Sequence, residues 1–288
     1  MRSRAVALIV LALVAFAAML LPSALATAAS GRYVALGDSY TAGPLIPNQS
    51  LSPLGCLRSD HNYPHLVQPG LTTASFTDIS CSGATTDDMF AAQSTEIGTN
   101  PPQLDALTAD TRVVTLGIGG NDIGFSDIVV NCARLNPFDP CKDDYVHGST
   151  DDISVRIAAT APKVDAVIAA IHSRSPSAKV HVVGYPTILP ASGFGCWPAV
   201  PITPTDVPYL RAKELELNAM LANRAAADGA FYVDTYTSSV GHDVCKATGT
   251  RWVEGLIPTA PAAPVHPNAL GMQNTARATL ARINAVGY

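Results

Sequence analysis

Four short blocks hold the residues able to do chemistry. They are Gly37-Asp38-Ser39-Tyr40, Cys81-Ser82-Gly83-Ala84-Thr85, Gly117-Ile118-Gly119-Gly120-Asn121-Asp122 and Val265-His266-Pro267-Asn268. A serine, a turn glycine, an asparagine and a histidine are the parts of one reaction. Ester cleavage needs a hydroxyl nucleophile, a base to take its proton, and donors for the oxyanion that forms. Ser39 can be the nucleophile and His266 the base, because imidazole titrates close to neutrality. The backbone N–H groups of Ser39 and Gly83 and the side-chain amide of Asn121 are the candidate oxyanion donors.

Each block also has a purely structural reading. Gly, Asp and Ser are what strand-ending turns are made of. Gly83 can be a plain turn glycine, Asn121 the cap of a following helix, and His266-Pro267 a helix start. Asp38 and Asp122 read as residues that fix their own turns by local hydrogen bonds. His61, His65, His147, His172, His181 and His242 show no partner pattern.

The elements that must position these blocks alternate. Apolar, β-branched runs occupy 32–37, 75–80, 112–117, 179–184 and 230–234, each nearly all apolar or small, as in strands buried on both faces. Helical periodicity lies at 151–173 (Ile153, Ile157, Val164, Val167, Ile168, Ile171), 206–228 (Leu210, Leu215, Leu217, Leu221) and 268–285. Strands separated by helices predict βαβ units and a parallel sheet with helices on both faces. Such sheets place ligands at the carboxyl ends of their strands. The first three blocks follow the first three strands and the fourth precedes the last helix, so all four can meet on one rim. Two irregular segments, 41–63 and the Pro-rich 185–206, are expected to wall a cleft above the sheet. The second could line an acyl pocket.

The first residues read as a secretory signal peptide over 1–28. Arg2 and Arg4 precede an apolar run, Ala5 to Leu21, then Pro22 and the small-residue cleavage sites Ala24-Leu25-Ala26 and Ala26-Thr27-Ala28. A retained anchor is the competing reading; the run is slightly short for one. The remainder, 29–288, is expected to form a single domain. It carries 16 basic and 23 acidic residues, a net charge of −7, with no basic cluster, which argues against a nucleic-acid partner. All six cysteines, Cys56, Cys81, Cys132, Cys141, Cys196 and Cys245, follow the signal. An even count in an exported chain reads as three disulfides, with fifteen possible pairings, of which the sequential one is simplest. No C-x-x-C pair or Cys/His cluster suggests a metal.

Taken together, Gly37-Asp38-Ser39-Tyr40, Gly83, Gly119-Gly120-Asn121-Asp122 and His266-Pro267-Asn268 resemble, in order, the blocks of the SGNH, or GDSL, hydrolase family. The resemblance spans about residues 32–285. It implies a flavodoxin-like three-layer α/β/α sandwich with a five-stranded parallel sheet, and a serine esterase or lipase that needs no metal or organic cofactor. The chain looks closest to the secreted bacterial branch with three sequential disulfides, which implies Cys56–Cys81, Cys132–Cys141 and Cys196–Cys245. An ordinary α/β-hydrolase is excluded because Thr41 breaks any G-x-S-x-G pattern.

One position departs from the family. Many members carry an acid three residues before the histidine, where this chain has Ala263. The expectation is a Ser39–His266 dyad, with a main-chain carbonyl near Ala263 orienting the imidazole. Asp243 or Glu254 is the competing orienting acid. The expected substrates are acylglycerols or short- to medium-chain acyl esters. Glycerophospholipids and acetylated polysaccharides are the rivals, though Trp197 and Trp252 are the only tryptophans. A secreted monomer in transient contact with lipid aggregates is the expected form. A non-catalytic binding protein would need a broken set, and an FMN protein fits poorly with an export signal and disulfides.

Overall fold

The computed structural model describes residues 31–288, so the expected signal peptide at 1–28 lies outside the described residues. Five strands, β1 (Arg32–Gly37), β2 (Ser75–Asp78), β3 (Thr111–Gly117), β4 (Lys179–Val183) and β5 (Phe231–Val233), form one parallel sheet. Their order is β2-β1-β3-β4-β5, the flavodoxin-like doubly wound order. The helices are α1 (Ser39–Ala42), α2 (Tyr63–Val67), α3 (Phe125–Cys132), α4 (Asp152–Arg174), α5 (Asp206–Ala227), α6 (Tyr236–Ser239) and α7 (Ala269–Val286).

Alternation along the strands divides the core in two. Val34, Leu36, Val114, Leu116, Val180 and Val182 face α4 and α5, meeting Ile157, Val164, Val167, Ile171 and Leu221. Tyr33, Ala35, Val113 and Val183 face the other way, against Tyr63, Val67, Met272, Ala276 and Ile283 of α2 and α7. Each of the Val, Leu, Ile and Met side chains among them, taken fully out of water, contributes about 1.5–3 kcal/mol. The result is the expected α/β/α sandwich. In β1 and β3, Leu36 lies beside Leu116 and Gly37 beside Gly117, so the carboxyl ends are level where the chemistry begins.

Three expectations need correction. The strand at 75–80 ends at Asp78 and is no buried strand: Ser75 is exposed and Phe76, Thr77 and Asp78 are half-buried, because β2 is a sheet edge. Helix α3 was not expected, and it starts behind Gly124, so Asn121 does not cap it. Asp122 does not act locally, as described below.

The disulfides are Cys56–Cys81, Cys132–Cys141 and Cys196–Cys245, at sequence separations of 25, 9 and 49. In the chain-entropy account each is worth ~3–4 kcal/mol at most. The first ties the loop after β1 to the loop after β2, and the third ties the loop after β4 to the loop after β5. Both therefore act at the carboxyl edge of the sheet. Among the described residues no helix is long and apolar enough to cross a membrane, and no group of three His, Cys, Asp or Glu is arranged to hold a metal.

Candidate active site

The Ser39 turn is locked from four sides. Gln103 holds the last residue of β1: its Oε1 accepts the Gly37 N–H at 2.7 Å and its Nε2 donates to the Gly37 carbonyl at 2.9 Å. A side chain at Gly37 would come within 2.7 Å of the Gly117 carbonyl and into Thr41 Oγ1, so only glycine lets α1 fold back onto β1 and β3. Asp38 donates its N–H to Gly117 O at 2.9 Å. Its Oδ1 caps α1 by accepting the Tyr40 N–H at 2.8 Å. Its Oδ2 accepts from the Tyr185 hydroxyl at 2.5 Å, and that hydroxyl accepts the Gly120 N–H at 2.7 Å. Burial pushes the Asp38 carboxyl up to about 7, against the lowering effect of the Tyr185 and Tyr40 hydrogen bonds.

His266 reaches Ser39 across 227 residues of chain: Nε2 lies 2.7 Å from Oγ. Nδ1 lies 2.7 Å from the carbonyl oxygen of Pro264. A carbonyl can only accept, so Nδ1 carries the proton and Nε2 offers its lone pair to the hydroxyl. Burial holds the imidazole below the ordinary value of 6.5, opposed in part by the Pro264 carbonyl, so it is neutral at neutral pH. The carbonyl expected near Ala263 is thus that of Pro264, while Ala263 O accepts the His266 N–H at 3.2 Å. Both competing acids are engaged elsewhere. Asp243 Oδ1 accepts the Cys245 N–H at 3.0 Å. Glu254 accepts from Asn268 Nδ2 at 2.7 Å and from the Thr259 N–H at 2.9 Å.

Between Pro264 and His266 stands Val265 with φ +59°. A β-branched residue in the left-handed region is strained. The strain is held by Tyr40, whose hydroxyl donates to Val265 O at 2.6 Å and whose ring lies 5.0 Å from the His266 ring. The same tyrosine packs edge-on against Tyr185 and Phe125.

Gly83 and Asn121 sit on loops stapled to each other. Gly83 has φ +81°, while a side chain there would meet nothing nearer than Gln93 Nε2 at 3.6 Å; backbone conformation, not space, demands glycine. Asp122 accepts from the Thr86 N–H at 3.0 Å and from the Thr86 hydroxyl, bridging the second block to the third rather than fixing its own turn. Asn121 Nδ2 donates to Ala84 O at 2.8 Å. That bond uses one of two amide hydrogens and leaves the other free to donate. The Cys81 N–H donates to Gly37 O at 3.0 Å, joining this loop to the Ser39 turn. Among the described residues, the N–H groups of Ser39 and Gly83 have no protein acceptor.

Beside this rim opens a narrow apolar cavity of about 90 Å³, walled by Ile123, Phe125, Leu189, Val200, Leu256 and Val265 among others. The Pro-rich segment 185–206 contributes to it, as expected. Segment 41–63 does not; it lines a separate polar recess of about 490 Å³ with Asn48, Ser50 and Arg58. Glu214 of α5 also lines the apolar cavity and accepts the Ile188 N–H at 3.1 Å. Burial pushes its carboxyl well above the ordinary range. Gln103, Tyr185 and Glu214 were not legible as site residues, since each acts on backbone far away in sequence. A hydroxyl on a neutral base, unpaired N–H donors and an adjoining apolar cavity together suit acyl transfer.

The family model for GDSL-like Lipase/Acylhydrolase matches residues 35–273. The chain belongs to the GDSL lipase/acylhydrolase family. Lipase 2 of Streptomyces coelicolor is 41% identical over 255 residues, covering 86% of this chain and 84% of that protein. Two solved structures share the fold of this GDSL hydrolase. Phospholipase A1 from Streptomyces albidoflavus matches with a TM-score of 0.70 at 27% identity, over 89% of this chain and 99% of that one. An extracellular lipase from Streptomyces rimosus matches with a TM-score of 0.66 at 30% identity, over 89% and 100%. This GDSL hydrolase is a carboxylic ester hydrolase.

Proposed function

We propose that this hydrolase cleaves acylglycerols or short- to medium-chain acyl esters through a Ser39–His266 dyad and an acyl-enzyme. The observation that carries the reading is the 2.7 Å contact between His266 Nε2 and Ser39 Oγ. Nε2 takes the Ser39 proton while Oγ attacks the ester carbonyl. The oxyanion is met by the N–H groups of Ser39 and Gly83 and the free amide hydrogen of Asn121, each worth ~10²–10³ in rate in comparable sites. The alcohol leaves with the proton from Nε2. Water then repeats the cycle on the acyl-enzyme and releases the acid. The Pro264 carbonyl fixes the tautomer but, being neutral, stabilises the imidazolium less than a carboxylate would. The acyl chain occupies the cavity beside Val265.

The catalytic unit is 29–288, exported behind a signal at 1–28. Three disulfides and an extracellular relative support export. A second reading, phospholipase A-type cleavage, is favoured by the likeness to a phospholipase A1. Ser39→Ala is expected to lower hydrolysis of a soluble p-nitrophenyl ester by at least ~10³ with the circular dichroism unchanged. Near wild-type turnover in that variant would end the catalytic reading. A panel of glycerides and phosphatidylcholine assayed with wild type decides between the two substrates.

A further inference from the structure

The large apolar side chains left in water are unevenly placed. Val130, Leu135, Phe138, Phe194 and Ile257 are 70–90% exposed, as is Leu51, which stands between Ser50 and Ser52 of the separate polar recess. All five lie in connections that leave the carboxyl ends of strands. The connections that enter the amino ends, 68–74, 102–110, 175–178 and 228–230, expose no large hydrophobic residue. Scattered exposed apolar residues need no explanation, but a set confined to one edge does.

Each of the five lies on a segment that lines the apolar cavity or is tied to its wall. Val130 follows Val129 and Ile257 follows Leu256, and both predecessors line the cavity. Leu135 and Phe138 sit on a segment tied to the cavity wall, because the Arg134 N–H donates to Pro201 O at 2.7 Å, between wall residues Val200 and Ile202. Trp197 Nε1 donates to Arg134 O at 3.4 Å, which ties in the loop that carries Phe194. The Cys196–Cys245 bond joins that loop to Val244, another wall residue.

Charge selects the partner. The cations of this edge are mostly engaged: Arg134 is paired with Asp139 at 2.9 Å and with Asp144, and Lys246 with Asp243 at 3.8 Å, while Lys142 lies over the Tyr209 ring. The exported unit 29–288 carries a net charge of −7, which repels an anionic surface. What remains is burial of apolar side chains, as where peripheral proteins enter the headgroup boundary.

We propose that Val130, Leu135, Phe138, Phe194 and Ile257 form a docking face that inserts into the surface of neutral or zwitterionic lipid assemblies and holds the cavity mouth against them. The proposal rests on the ester-hydrolase reading of the adjoining cavity. Docking makes aggregated ester the working substrate and delivers an acyl chain to the cavity without passage through water.

The test uses the Ser39→Ala protein, which leaves vesicles intact, and phosphatidylcholine vesicles in a flotation assay. Ser39→Ala is expected to partition onto them equally at low and high salt. Adding Leu135→Ser, Phe138→Ser and Phe194→Ser is expected to cut the partition coefficient by at least about tenfold, given the area these side chains bury. With Ser39 restored, the triple variant is expected to keep wild-type turnover of a soluble short-chain ester, which reports that it folds, and to lose turnover of an emulsified one. A Phe138→Trp protein should shift its emission to the blue on the same vesicles. Unchanged partitioning of the triple variant, no binding by Ser39→Ala, binding only after phosphatidylserine is added, or an unshifted emission from the Phe138→Trp protein would each overturn the docking face. Turnover of soluble ester by Ser39→Ala would instead overturn the catalytic reading and leave the vesicle result standing.

Discussion

The Nδ1–H of His266 is taken by the main-chain carbonyl of Pro264 at 2.7 Å, two residues away in sequence. The orienting group is therefore part of the same turn as the imidazole. It cannot be removed by a side-chain substitution, and it arrives only if the strained Val265 turn is made.

In the proposed dyad neither Glu254 nor Asp243 orients His266. Where a carboxylate orients the histidine, its conversion to the amide costs about 10⁴ in kcat in the serine protease template. Glu254→Gln and Asp243→Asn are expected to keep kcat within about threefold of wild type, measured on a soluble ester with folding checked by thermal melting. A loss of orders of magnitude in a folded variant would restore an acid to the site.

The pH profile follows from the state of the base. In the proposed dyad activity requires neutral His266, and burial lowers its folded pKa below 6.5. The neutral form therefore persists to lower pH, and the acid limb of kcat/KM is expected below 6.5. Asp38, raised to about 7, is the other group titrating beside Ser39. Asp38→Asn should leave the low-pH limb in place; a limb that vanishes with Asp38 would assign it to the wrong group.

In the proposed dyad Tyr40 is a positioning residue. Its hydroxyl donates to Val265 O at 2.6 Å and thereby holds a β-branched residue at φ +59°. Tyr40→Phe keeps the ring packing on Tyr185, Phe125 and His266 and removes only that bond. A buried hydrogen bond is worth about 1 kcal/mol, and a loosened base costs about tenfold in rate. The expected outcome is kcat down about tenfold with KM unchanged. A change in melting temperature with kcat intact would mean that the hydroxyl serves stability alone.

How much of this was legible in the chain follows from the range of each interaction. The buried strands show in the sequence as nearly continuous apolar runs, because both faces are covered, and α4 shows because every third to fourth residue must be apolar to face the core. β2 does not show this pattern, because an edge strand reading Ser-Phe-Thr-Asp has one partner and open water on its other side. Ser39, Gly83 and Asn121 stand out because each follows a strand, and His266 because it precedes the last helix, in the order of a known family's blocks. Tyr185, Gln103 and Glu214 do not, since their roles lie in contacts across 147, 66 and 26 residues. The missing acid at position 263 was visible; that the carbonyl would come from Pro264 depended on the sign of one dihedral at Val265.

Away from the site, His181 makes stability depend on acid. It lies in the middle of β4 with no exposed surface, and neither ring nitrogen has a hydrogen-bond partner. Burial, with Arg282 and Lys179 nearby, lowers its folded pKa to about 4 from 6.5. Below 6.5 the unfolded chain binds a proton that the folded protein refuses until about pH 4. Stability contributed by the neutral imidazole is therefore lost as pH falls through that window, by about 3 kcal/mol in total. Asp38 has the opposite sign, since its raised folded pKa favours the fold as pH falls below about 7. The two partly cancel in the wild type, so the useful quantity is a difference between proteins. His181→Leu keeps the apolar contacts of the site and removes the titration. Relative to wild type, its denaturant-unfolding free energy is expected to gain about 2–3 kcal/mol between pH 7 and pH 4. A difference that stays flat across that range would mean that the imidazole finds a proton acceptor in the fold.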